Sequence, residues 1–246
     1  MRHYFETIKN WLIDLIFPQH VCCLCRAPGR YNTNRPWCSQ CHDKLEKMST
    51  YLPICEKCGK YLLKDQRICT DCQQYAPEFH IARAVGPYDE LYRVAIKVFK
   101  FMCRKKLAEK MGQMMGEKVK SEPEFWPLDL IIPVPASQGS LKQRGFNQTE
   151  LLGCHISRTI GVKMDCQILQ RTKETPSQRE LTKKEREQNL RCAFQVTQPH
   201  KIKGKRILLV DDIYTTGSTC RECTRTLLEA GAQKVSVINW ATGISC

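Results

Sequence analysis

The sequence predicts an α/β fold, a parallel sheet flanked by helices, preceded by a small cysteine-rich module built as a double zinc ribbon. Three observations lead there. The apolar run Ile207 to Val210 reads as a strand buried on both faces, and a helix from about Thr219 to Ala230 follows it. Upstream, apolar runs alternate with amphipathic stretches from residue 81 onward. Before residue 80, eight cysteines fall into four C-x-x-C knuckles. The chain therefore divides into an amphipathic helix over residues 1–20, a zinc module over 21–80 and an α/β domain over 81–246.

In the first segment Phe5, Ile8, Leu12 and Leu15 recur at helical spacing and Pro18 stops the pattern. Trp11 to Phe17 is short, contains Asp14 and lacks a small-residue cleavage site downstream, so it reads as neither a secretory signal nor a membrane span. No integral membrane segment is expected.

The knuckles are Cys22/Cys25, Cys38/Cys41, Cys55/Cys58 and Cys69/Cys72. A two-residue gap lets both thiolates of a turn face one ion, and two turns complete the tetrahedron that Zn²⁺ prefers. Eight thiolates imply two structural Cys₄ sites. Sequential pairing, first knuckle with second and third with fourth, is favoured over an interleaved cross-brace. Disulfides and an iron–sulfur cluster are the competing uses of such cysteines.

In the α/β domain, Ile81 to Val85 reads as a strand closed by Gly86 and Pro87. From Asp89, the residues Leu91, Val94, Ala95, Val98 and Phe101 mark a helix. Its basic side chains, Lys97, Lys100, Arg104, Lys105 and Lys106, lie among aromatics and form a candidate single-strand-binding edge; a solvated helix face is the plain alternative. A second helix spans about Lys105 to Lys120, and Asp129 to Pro135 reads as a strand stopped by prolines. A loop from Ala136 to Asn147 carries Lys142 and Arg144. A helix from Gln148 to Thr159 and a strand near Gln167 to Arg171 come next, then a polar run from Thr172 to Asn189, a strand Cys192 to Val196 and a closing strand Val235 to Trp240.

The strand at Ile207 ends in Asp211 and Asp212, followed by Thr215, Thr216, Gly217, Ser218 and Thr219 at the start of a helix. Open α/β sheets bind ligands at such carboxyl ends. Free amides at a helix start, several hydroxyls and a glycine suit a dianionic phosphate. Two nearby carboxylates can accept hydrogen bonds from vicinal hydroxyls or hold Mg²⁺ through water. A ribose 5-phosphate meets both requirements. No G-x-x-x-x-G-K-[ST] or G-x-G-x-x-G loop occurs. Cys220 sits where the helix dipole would lower a thiol pKa, which admits a redox role; with Cys223 it also has the spacing of small core-facing residues.

The formal net charge is +14, of which +3 belongs to residues 1–80 and +11 to residues 81–246. Two zinc-thiolate sites at −2 each bring the first figure to about −1. A polyanion should therefore meet the second part of the chain, at salt-dependent affinity.

Ile207 to Thr219, with four apolar residues, two acids and Thr-Thr-Gly-x-Thr, resembles the phosphoribosyl-pyrophosphate (PRPP) signature of type I phosphoribosyltransferases. Four knuckles, Pro133-Val134-Pro135 ahead of Lys142-Gln143-Arg144-Gly145-Phe146-Asn147-Gln148, and Arg171-Thr172 with Gln178, Leu181, Arg186, Asn189 and Phe194 narrow the resemblance. Together they look like the ComF family, of the ComFC type of late competence protein. The resemblance implies a type I phosphoribosyltransferase-like fold and a cytoplasmic protein serving uptake of transforming DNA. The expected partners are single-stranded DNA, a ComFA-type DNA-translocating ATPase, and PRPP with Mg²⁺. It assigns Asp211 and Asp212 to ribose hydroxyls or Mg²⁺, Thr215 to Thr219 to the 5-phosphate, Lys142 and Arg144 to pyrophosphate, and the polar run after Arg171 to a closing loop. Two functions remain open: an accessory protein with a ligand-sensing pocket, and an active transferase acting on a nucleobase. No hood that reads a base is identifiable in the sequence.

Overall fold

The structure, a computed structural model, describes residues 19–32, 35–50, 52–63, 66–101, 107–173 and 192–245. Residues 1–18 of the expected N-terminal helix, Arg104, Lys105, Lys106 and most of the polar run after Arg171 lie outside the described residues.

Two short strands, β1 (Gln19–Val21) and β2 (Pro28–Tyr31), form an antiparallel pair around the first knuckle, and helix α1 (Ser39–Ser49) starts from the second. The third and fourth knuckles frame β3 (Tyr61–Leu62) and α2 (Thr70–Gln74). The α/β part follows with β4 (Ala82–Pro87), α3 (Glu90–Phe101), α4 (Leu107–Ser121) and β5 (Leu130–Pro133). Next come α5 (Gln138–Arg144), α6 (Gln148–Ile160), β6 (Leu169–Arg171) and β7 (Phe194–Val196). The chain closes with β8 (Arg206–Tyr214), α7 (Ser218–Glu229), β9 (Lys234–Thr242) and β10 (Ile244–Ser245).

The central sheet is wholly parallel, in the order β4-β9-β8-β5. Alternation along β8 and β9 sends side chains to two cores, as the two-residue period of a strand requires. Leu208, Val210, Ile238 and Trp240 point to one face, against α3, α4 and α6; Ile207, Leu209, Val235 and Val237 point to the other, against α7. Each half of the cysteine module joins a different core. Cys22, Cys41 and Leu45 pack with the first face, where Trp37 lies 6.5 Å from Trp240. Cys55, Cys58, Cys69 and Cys72 pack with the second.

Three elements depart from the sequence expectation. β4 runs through Gly86 and Pro87 instead of ending before them; it is an edge strand, where a missing proline N–H breaks no ladder. The segment Ala136 to Asn147 is not all loop. Ser137 caps α5 by accepting from the Ser140 amide at 3.1 Å, and Gly145, at φ 72°, ends it. β8 extends past Val210, because Asp211, Ile213 and Tyr214 still pair with Asn239, Ala241 and Thr242 of the longer neighbour β9.

Candidate functional site

Asp211 and Asp212 occupy the last turn of pleat in β8, and Gly217 turns the chain into α7. Gly217 adopts φ 77°, and a Cβ there would lie 2.3 Å from the Tyr214 hydroxyl. Only glycine accepts both constraints. Tyr214 is itself fully packed, edge-on to Phe79 at 6.1 Å. The turn so formed lets residues 211–220 fold into one polar cup of about 150 Å³, lined by both aspartates, Thr215, Thr216, Ser218 and Thr219 among others. Thr216 Oγ1 and Ser218 Oγ lie 2.8 Å apart, and Thr216 Oγ1 accepts from the Ser218 amide at 3.4 Å.

The carboxylates are held differently. Asp211 Oδ1 accepts the Asp212 amide at 2.8 Å and its Oδ2 lies 3.5 Å from Cys220 Sγ. Burial, with the neighbouring charge of Asp212 adding to it, raises the Asp211 carboxyl to about 7. Asp212 pairs instead with Lys100 of α3, Nζ to Oδ2 2.5 Å. Burial also pushes the Cys220 and Cys223 thiols well above their ordinary values, which outweighs the helix dipole. The plain packing reading of this C-x-x-C holds, and Cys220 serves Asp211 as a weak hydrogen-bond donor.

Of the other expected site residues, Lys142 is exposed on α5 and Arg144 half-buried at its end; neither lines the cup. Lys97 is exposed on α3, whereas Lys100 is half-buried and pairs with Asp212 of the cup. The sequence reading assigned Lys100 to a DNA-binding edge and missed its contact with Asp212. No local signal could have found it, since the two residues meet only through the packing of α3 on the sheet. Asn239, opposite Asp211 in register and 4.0 Å from Cys220 Sγ, was also missed. Its signal was a polar residue inside an apolar strand.

The cysteines form two clusters, Cys22/Cys25/Cys38/Cys41 and Cys55/Cys58/Cys69/Cys72, each with its sulfurs within 4.8 Å of one another. The pairing is therefore sequential. Four thiolates at about 2.3 Å from a tetrahedral Zn²⁺ sit about 3.8 Å apart. Separations of 3.9 Å for Cys22–Cys41, 3.7 Å for Cys25–Cys38 and 3.5 Å for Cys58–Cys69 fit that geometry. Backbone amides of Cys38 and Cys69 point at Cys22 and Cys55 Sγ at 3.3 Å, the expected outer-shell support of a metal thiolate. Each cluster is a four-ligand structural site.

The chain matches the double zinc ribbon domain family over residues 12–73 and the phosphoribosyl transferase domain family over residues 151–243. It is 30% identical over 204 residues to Competence protein F of Haemophilus influenzae, covering 81% of this chain and 87% of that one. The chain belongs to the ComF family. Another ComF-family relative, the DNA utilization protein YhgH of Escherichia coli O157:H7, is 31% identical over 88% of this chain and 94% of its own. The ComF-family Competence protein ComFC of Bacillus subtilis is 27% identical over 79% and 78%. Among solved structures, the glutamine PRPP amidotransferase of B. subtilis aligns over 58% of this chain and 30% of its own, at 18% identity and a TM-score of 0.40. The family thus joins two zinc-binding clusters to a phosphoribosyltransferase-like domain, in relatives named for competence and DNA utilization. Among the described residues no helix is long and apolar enough to cross a membrane.

Proposed function

We propose that this ComF-family chain is a competence accessory protein that binds single-stranded DNA and, in the cup at the end of β8, PRPP or a related ribose phosphate. The observation that carries the ligand half is the closure of the carboxylate pair and the α7 N-terminus into one polar cup. The α7 amides and the Thr215, Thr216, Ser218 and Thr219 hydroxyls take the 5-phosphate, and Asp211 and Asp212 accept the ribose hydroxyls. Lys142 and Arg144 reach pyrophosphate from α5, and Mg²⁺ accompanies that pyrophosphate. The DNA half rests on the +11 charge of residues 81–246 and on the names of the relatives. The protein works in the cytoplasm at the membrane DNA-uptake machinery, beside a ComFA-type ATPase.

A second reading, transfer of ribose 5-phosphate from PRPP to a nucleobase, is favoured by one observation. Asp211 lines the cup, and burial raises its carboxyl toward neutrality, where a carboxyl can hold or pass a proton.

Calorimetry decides the site. D211N/D212N should bind PRPP at least about ten-fold more weakly while keeping its fold by circular dichroism, and wild-type affinity in that variant would remove the assignment. Pyrophosphate release that requires one particular base would make the chain an enzyme; binding without release, altered by single-stranded DNA, supports the accessory reading. For the DNA surface, charge reversal at Lys97, Lys105 and Lys106 should flatten the dependence of affinity on salt, by about one unit of log–log slope per lost phosphate contact. Lys100 is left intact in that variant because it serves the cup.

A further inference from the structure

One carboxylate of the cup is paired with a cation from another element. Lys100, in the last turn of α3, sets its ammonium against Asp212, and both side chains are only 15% exposed. A short, shielded ammonium–carboxylate contact of this kind is a strong charge-assisted hydrogen bond. The other carboxylate is satisfied from within the chain, by the Asp212 amide and the Cys220 thiol.

We propose that Lys100 is the built-in counter-ion of the carboxylate pair, filling the position a divalent cation would take, so that the ribose is gripped without a protein-bound metal. The gripping of ribose rests on the ribose-phosphate reading above. Charge balance supports it. Lys100 neutralises Asp212, and Asp211 is already engaged by the Asp212 amide and the Cys220 thiol, so the pair offers a divalent ion at most one uncompensated carboxylate. Coordination chemistry supports it as well. Mg²⁺ dehydrates reluctantly and demands octahedral oxygen ligands, and here it would first have to displace an ammonium from Asp212. The carboxylates therefore do not fit a resident Mg²⁺, and the metal enters only on a ligand that carries its own pyrophosphate. Lysine keeps two further N–H donors beyond the one given to Asp212, and these suit a ribose or phosphate oxygen.

Two measurements test this with the zinc-loaded full chain. In the first, Mn²⁺ alone is titrated and followed by electron paramagnetic resonance. Wild type and K100R should show no Mn²⁺ site in the cup, K100M should gain one at least about ten-fold tighter than any in wild type, and K100M/D212N should lose it again. A wild-type Mn²⁺ site abolished by D212N, or no gain in K100M, overturns the proposal. In the second, ribose 5-phosphate, which has no pyrophosphate to carry metal, is titrated by calorimetry in buffer freed of divalent ions by resin and again with Mg²⁺. Wild type should bind equally in both, and K100M should lose affinity about ten-fold in the metal-free buffer and regain part of it with Mg²⁺. Wild-type binding that requires Mg²⁺ overturns the counter-ion. No binding under either condition, with the Mn²⁺ results as expected, removes the ribose-phosphate reading and leaves the counter-ion standing.

Discussion

Asp211 and Gly217 carry the consequences that belong to single residues. The Asp211 carboxyl is raised from 3.8 to about 7, so between those values the folded protein keeps a proton that the unfolded chain has released. Stability from this group is fully present below the unfolded value and is lost as pH rises toward 7. D211N has no such titration. Its unfolding free energy in urea should gain on that of wild type between pH 5 and pH 8, by on the order of 1 kcal/mol, and parallel profiles would show that burial does not perturb Asp211. At Gly217 a methyl group meets the Tyr214 hydroxyl at 2.3 Å on a backbone with φ 77°. G217A should cost about 1 to 3 kcal/mol in denaturant unfolding and weaken ribose-phosphate binding with it. Both positions were legible as site residues from their order after an apolar run. Their partners were not, because Lys100, Cys220 Sγ and Asn239 meet Asp211 and Asp212 only once α3, α7 and β9 are packed.

At the scale of elements, local sequence chose each helix and strand type, and neighbours set their lengths. β8 outruns its apolar stretch because β9 offers it a pairing edge through Thr242. β4 includes Pro87 because one of its edges is unpaired among the described residues. At the junction between α1 and α3 the Tyr92 hydroxyl, wholly buried, donates to the carbonyl of Leu45 at 2.8 Å and lies 3.3 Å from that of Val85. Y92F keeps the packing against Trp240, at 5.1 Å, and removes those hydrogen bonds. It should lower stability by about 1 to 2 kcal/mol in urea melts, the cost of losing a buried hydrogen bond.

At the scale of the whole molecule, the two zinc clusters are tied into the sheet. The first shares a core with Trp240, and the second with Leu209, Tyr214 and Leu227. β3 pairs in parallel with β10 at the far end of the chain, and Arg221 of α7 donates to the Tyr75 carbonyl at 2.6 Å, just beyond α2. Zinc removal should therefore loosen the cup as well as the cysteine module. Chelation is expected to lower the melting temperature of the α/β part and shift tryptophan emission to the red as Trp37 leaves Trp240; an unchanged melt would show the two parts folding independently.

The sequence alone determined the knuckles, the buried strand, the acids at its end and the glycine-containing helix start, because each is written in consecutive residues with a short-range physical reason. The tertiary structure decided the sequential grouping of thiolates, the placing of each cluster in a different core, and the pairing of Lys100 with Asp212. Those depend on which segments far apart in the chain come to lie together, and no local pattern encodes that.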